Sequence, residues 1–182
     1  KKGTNSAIFS KSLKNYINTF SNATTPPVVT INDNNGKVLS TMLDNSKLNE
    51  KLSKVAMPTK EFFKFKTSKG IELNGWIIKP ANFDASKKYP VIMHQYSGPG
   101  SQEVLDKWNI GSRRDGGMFE AYLAQHGYIS VCVDGRGTGG RGSDFEKSTY
   151  LKIGIQESED QVETAKYLSS LSYIDGNRIG IW

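Results

Sequence analysis

Cysteine is almost missing from this sequence. There is one, Cys132, in 182 residues. A lone thiol cannot close an intrachain disulfide, so the cysteines carry no information about redox compartment. Cys132 lies in the apolar run Ile129–Val133, the setting of a core residue rather than of a reactive thiolate. Histidine is nearly as scarce, with His94 and His126 alone. Two separated histidines and one buried cysteine make no metal set, and no metal or cofactor is expected. Long hydrophobic runs are lacking too, which excludes a membrane-spanning helix in these residues. The chain begins with Lys, and any targeting segment would lie upstream of it. No G-x-S-x-G occurs anywhere, so the nucleophile turn of an α/β-hydrolase is absent from the sequence.

Acidic residues are in moderate deficit: 24 Lys and Arg against 18 Asp and Glu, for a formal charge of +6. The lysines are scattered, with short pairs such as Lys1-Lys2 and Lys87-Lys88. That distribution describes a solvated surface and not a nucleic-acid footprint. With 36% hydrophobic and 23% charged residues the chain is expected to fold.

The first third reads as short strands: Ser6–Ser10, Asn15–Phe20, Val28–Asp33 after Pro26-Pro27, and Val38–Leu43. Asp33-Asn34-Asn35-Gly36 is a hairpin turn, because Asn and Gly tolerate positive φ. Such a sheet is the size of one propeller blade, and one blade does not make a domain. Residues 44–58 are polar, with Leu48, Leu52 and Val55 at helical spacing, and read as a linker.

From Glu61 the pattern changes. Phe63, Phe65 and Thr67 alternate with polar residues, Lys69-Gly70 turns, and Ile71–Ile78 alternates again, which makes a hairpin. Tyr89–Tyr96 and Ile129–Asp134 are nearly continuous apolar strands of the doubly covered kind. Between them Met118, Phe119, Tyr122 and Leu123 share one face of a helix, with Asp115 near its start and Gly127 closing it. A second helix is expected over Ser158–Leu171, opened by a Ser158-x-x-Gln161 capping box, and Arg178–Trp182 starts another strand. Hairpin, strand, helix, strand, helix, strand gives an α/β fold with a mostly parallel sheet and covering helices.

Two loops could carry chemistry. Gly137, Gly139 and Gly142 in Asp134–Gly142 satisfy G-x-G-x-x-G after a strand. The context fails, because Ser143–Thr149 has no apolar stripe and no acid closes a following strand. The loop therefore reads as a tight turn, with Arg136 and Arg141 free to pair with carboxylates such as Asp134 or Asp144. The second loop is Tyr96-Ser97-Gly98-Pro99-Gly100, just after the buried strand. A Tyr96 hydroxyl there would serve as an oxyanion donor, or its ring would simply pack at a strand end. His94 reads as a core residue and His126 as a helix-end residue. Asn22-Ala23-Thr24 fits a glycosylation sequon.

Four segments in register, Tyr89–Gln102 (YPVIMHQYSGPGSQ), Asp134–Gly142 (DGRGTGGRG), Glu157–Leu168 (ESEDQVETAKYL) and Asn177–Trp182 (NRIGIW), resemble the prolyl oligopeptidase family of serine peptidases. The resemblance is strong from Tyr89 onward and looser before Glu61. It implies that residues 1–50 are the end of a β-propeller and residues 51–182 the first part of an α/β-hydrolase domain, in whose sheet Tyr89–Gln95 lies between Ile129–Val133 and Ile179–Trp182. It implies that the strand at Arg178–Trp182 leads toward the nucleophile elbow, with the Ser, Asp and His of the triad and the propeller acids outside this chain. Tyr96 matches the tyrosine whose hydroxyl stabilises the oxyanion. The resemblance further implies release of N-terminal dipeptides after a penultimate proline, without metal or cofactor. The substrates would be peptides, the parent a homodimer, and the location periplasmic or extracellular. Another peptidase of the family, an oligopeptidase or acylaminoacyl peptidase, and a non-catalytic homologue acting as a binding protein are the alternatives. By itself the chain would be inactive.

Overall fold

The computed structural model describes residues 1–96, 98–108 and 118–182. Its order is β1 (Thr4–Phe9), β2 (Asn15–Asn22), β3 (Thr25–Asp33), β4 (Val38–Leu43), α1 (Ser46–Leu52), β5 (Thr59–Lys66), β6 (Glu72–Lys79), β7 (Tyr89–His94), α2 (Met118–Gln125), β8 (Ile129–Asp134), α3 (Ser143–Lys147), α4 (Ile155–Ser169) and β9 (Ile174–Ile181). The chain divides into two compact units. One is Lys1–Met57 with the described residues 105–108; the other is Pro58–Val104 with the described residues 118–182.

The first unit is an antiparallel meander, β1-β2-β3-β4. At its expected turn Gly36 adopts φ 88 and the Asp33 carboxylate accepts the backbone N–H groups of Asn35 and Lys37. Pro26 and Pro27 fall inside β3 although prolines cannot donate to a ladder. They fit because the β2–β3 register is irregular between Phe20 and Asn22 and pairing with β4 starts only at Val29.

The second unit is a five-stranded mixed sheet, β5-β6-β8-β7-β9. The hairpin β5–β6 runs antiparallel into β8, while β8, β7 and β9 are parallel. The α/β expectation holds, with β7 between β8 and β9, and half of the strand pairings are antiparallel. Alternation along β6 and β8 builds a core on each face. Leu73, Ile77, Ile129, Val131 and Val133 pack with Leu168 of α4 on one side; Trp76, Ile78 and Cys132 pack with Ala124 of α2 on the other. Gly75 is required between them, since a Cβ there would come within 2.5 Å of the Phe63 ring.

Three expectations are corrected. In α2, Phe119 and Tyr122 are exposed, and the helix buries Glu120, Ala121 and Ala124 instead. Small residues let its backbone approach a sheet face already filled by Trp76. Helix α4 opens three residues early: Gly154 precedes it, the Glu157 carboxylate accepts the Gly154 N–H, and Ser158 bonds back to the Gly154 carbonyl from within the first turn. Ser143–Lys147 is a short helix after Gly142 despite its polar sequence. Asp115 and Ser97 lie outside the described residues.

Candidate active site

Strand β7 ends in the middle of the parallel trio, so whatever follows it is held by neighbours on both sides. Trp182 extends that support, accepting the Gln95 N–H and donating to the Met93 carbonyl. Tyr96 stands two residues past the strand and is 55% exposed. Beyond it Gly100 takes φ 76, and the chain doubles back into Ser101. The buried Ser101 hydroxyl lies 2.8 Å from the Gly98 carbonyl and 3.2 Å from that of Tyr96.

The glycine-rich loop after β8 is the other wall of this region. Gly139 donates its N–H to the Ser101 carbonyl at 2.8 Å. Asp134, at the end of β8 and 4% exposed, accepts the N–H of Glu103 on one carboxylate oxygen and that of Val104 on the other, both at 3.0 Å. Burial pushes its pKa up, while these two N–H groups and the positive field of Arg141 oppose that shift.

The arginines do not take the partners expected of them. Arg136 forks onto Asp160 of α4, with Nη2 to Oδ1 at 2.8 Å, and reaches Glu159 at 3.1 Å. The Arg136 N–H also bonds Asp160, at 2.7 Å, and the Asp160 hydrogen bonds raise the guanidinium pKa above its ordinary value. Asp160 is fully buried and faces this loop, whereas Asp134 faces the other. Arg141 bonds the Glu72 carbonyl and stacks over Phe145, 4.2 Å from the ring centroid.

These contacts fill the space a phosphate would need. A Cβ at Gly140 would meet the Gln102 amide at 2.5 Å, and one at Gly137 the Thr149 hydroxyl at 2.9 Å. The glycines permit packing of loop against loop, and the nucleotide reading has no cradle to rest on.

Of the remaining candidates, His126 lies at the end of α2, its Nδ1 2.8 Å from the Tyr122 carbonyl. The His94 ring packs on Trp182 at 5.1 Å. Cys132 is buried, and burial pushes its thiol pKa well up, so it is no nucleophile. The Asn22 side-chain amide oxygen, Oδ1, accepts both the N–H and the hydroxyl of Thr24. Among the described residues no His, Cys, Asp and Glu group could hold a metal, and no helix is long and apolar enough to cross a membrane.

The sequence reading named Tyr96 and missed Ser101, Asp134 and Asp160 as the residues that organise the loops. For Asp134 a signal was present: a carboxylate ending a nearly continuous apolar strand must find buried donors nearby.

Residues 118–182 match the prolyl oligopeptidase family. The crystal structure of Porphyromonas gingivalis dipeptidyl peptidase 4 superposes with a TM-score of 0.92 at 48% identity, covering 99% of this chain and 25% of that one. The Aspergillus flavus protein named "Probable dipeptidyl peptidase 4" is 34% identical over 97% of this chain and 23% of its own length. Dipeptidyl peptidase 4 of Trichophyton equinum is 38% identical over 80% of this chain and 18% of its own length. Residues 118–182 carry the match to the prolyl oligopeptidase family, and the chain as a whole is similar to a fragment of dipeptidyl peptidase 4 proteins. It spans between 18% and 25% of the length of these relatives. Its antiparallel and mixed sheets are consistent with a partial propeller followed by a partial α/β-hydrolase.

Proposed function

We propose that the full-length protein is a serine peptidase releasing N-terminal dipeptides, preferentially Xaa-Pro, and that Tyr96 is one of its oxyanion donors. In this reading residues 1–50 close a propeller and residues 51–182 open the hydrolase domain. The names of the relatives support the activity. The placement of Tyr96 supports its role: exposed, two residues past a strand flanked on both sides, and followed by a glycine turn that leads the chain away.

The chemistry is acyl transfer. A serine hydroxyl adds to the carbonyl carbon of the second residue, its proton passing to a general base that later gives it to the leaving amine, and negative charge collects on the carbonyl oxygen. The Tyr96 hydroxyl donates to that oxygen, which then expels the amine and leaves a serine ester for water. No residue of this chain is assigned to the triad. Penultimate-proline preference, a homodimeric parent and a periplasmic or extracellular location follow from the family reading; a substrate panel, sedimentation and cell fractionation test them.

Changing Tyr96→Phe in the full-length protein keeps the ring and removes the donor. The expected loss is roughly 10²–10³ in kcat. KM should change little, since the oxyanion exists only in the transition state. A folded Tyr96→Phe protein with normal kcat on Gly-Pro p-nitroanilide returns Tyr96 to a packing role.

A further inference from the structure

A donor contributes only if its geometry is fixed before the reaction. Tyr96 lies two residues beyond β7, next to Gln95, whose N–H is held by the Trp182 carbonyl, and the loop that follows adds a second anchorage. Four bonds converge on the four residues 101–104 from elsewhere in the unit. The Asp134 carboxylate holds the N–H groups of Glu103 and Val104. Trp76 Nε1 donates to the Glu103 carbonyl at 3.2 Å. The Gly139 N–H holds the Ser101 carbonyl. From that anchored segment the Ser101 hydroxyl reaches back to the carbonyl oxygens of Gly98 and Tyr96 itself.

We infer that Asp134 and Ser101 are positioning residues for the oxyanion donor: Asp134 clamps residues 103–104 to the end of β8, and Ser101 relays that anchorage to the Tyr96 backbone. The inference rests on the proposed role of Tyr96. The physical case is the choice of a buried carboxylate. Two convergent backbone N–H groups satisfy a buried carboxylate, one on each oxygen, whereas an amide offers a single acceptor. Asp134→Asn keeps the shape and turns an NH₂ toward one of the two N–H groups. The segment must then shift to relieve the clash of donors. Ser101→Ala leaves the clamp and cuts the relay.

The test is kinetic and uses the full-length protein with Gly-Pro p-nitroanilide. Asp134→Asn and Ser101→Ala are each made alone and on a Tyr96→Phe background. Each single substitution should lower kcat by roughly tenfold, since sub-ångström misplacement of a catalytic group is costly, and leave KM within about twofold. On the Tyr96→Phe background the same substitutions should cost less than about twofold, because the hydroxyl they position is gone. Equal losses on both backgrounds overturn the inference and leave the role of Tyr96 standing. Normal kcat in the single variants does the same. Normal kcat in Tyr96→Phe, or an inactive wild type, overturns both readings. Should Asp134→Asn fail to fold, Ser101→Ala decides alone, since it removes one hydroxyl from a loop and breaks no strand pairing.

Discussion

The two sheets of this chain are made from strands of similar length and similar alternation, yet they come out physically different. Among the described residues, the buried hydrophobic side chain of the first unit is Phe20. The second unit buries Leu73, Trp76, Ile78, Val91, Ile129, Val131, Leu168 and Ile174 almost completely. In β1 and β4 the apolar residues Ile8, Phe9, Val38, Leu39, Met42 and Leu43 are exposed. Backbone pairing joins each strand to its neighbour in both sheets, with more register shifts in the meander. What differs is a second layer. Helices α2 and α4 cover the faces of β6, β8 and β7, and alternation becomes a core only where something lies across it.

The sharpest test of that contrast lies in the polar bolt between the sheet and α4. Arg136→Ala leaves Asp160 buried without its cation, and breaking a buried pair from one side costs about 3–5 kcal/mol. Urea unfolding, monitored on the second unit, should show the loss. Arg136→Met with Asp160→Asn should recover part of it, because an amide of the same size removes the stranded charge while its oxygen still accepts the backbone N–H of residue 136. A cost below about 1 kcal/mol for the single change would show that water already reaches Asp160.

A smaller effect compares the two units directly. Leu168→Ala empties a fully buried site in α4 and should cost about 2–5 kcal/mol. Leu39→Ala, on exposed β4, should stay within about 0.5 kcal/mol. Similar costs at the two sites would mean that the meander hides a core of its own.

The strands and their order were legible because period-2 alternation and unbroken apolar runs report burial directly. Ile129–Asp134 matched its strand bounds, and β7 lay between its expected neighbours. Tyr96 was legible from its place after such a run. The faces of α2 were not, because periodicity counts Phe119 and Tyr122 as apolar and cannot know that Ala124 is the residue turned onto Trp76. The start of α4 was missed because Gly154 supplies no side chain, and the cap comes backward from Glu157. Nor could sequence spacing choose Asp160 over Asp134 for Arg136. The two acids are 26 positions apart, and only the packing of α4 on the β8 loop brings one of them to the guanidinium.

The smallest expected effect is on pH. Glu163 on α4 accepts the Ser68 N–H of the β5–β6 turn at 2.7 Å and the Lys166 ammonium at 2.8 Å. The Lys166 bond, then the Ser68 N–H, lowers its carboxyl from an ordinary 4.5 to about 2. A carboxyl with a depressed folded-state pKa stabilises the fold above its unfolded pKa, and the contribution disappears as pH falls through the folded value. The Tm of wild type should therefore exceed that of Glu163→Gln near neutrality, and the gap should close between about pH 4.5 and about pH 2. The exposed Lys166 contact is screened by salt, whereas the N–H bond from Ser68 is far less so. Raising the ionic strength should shrink the gap without abolishing it. A gap that is flat with pH would mean that Glu163 keeps an ordinary pKa and that the turn is held to α4 by other contacts.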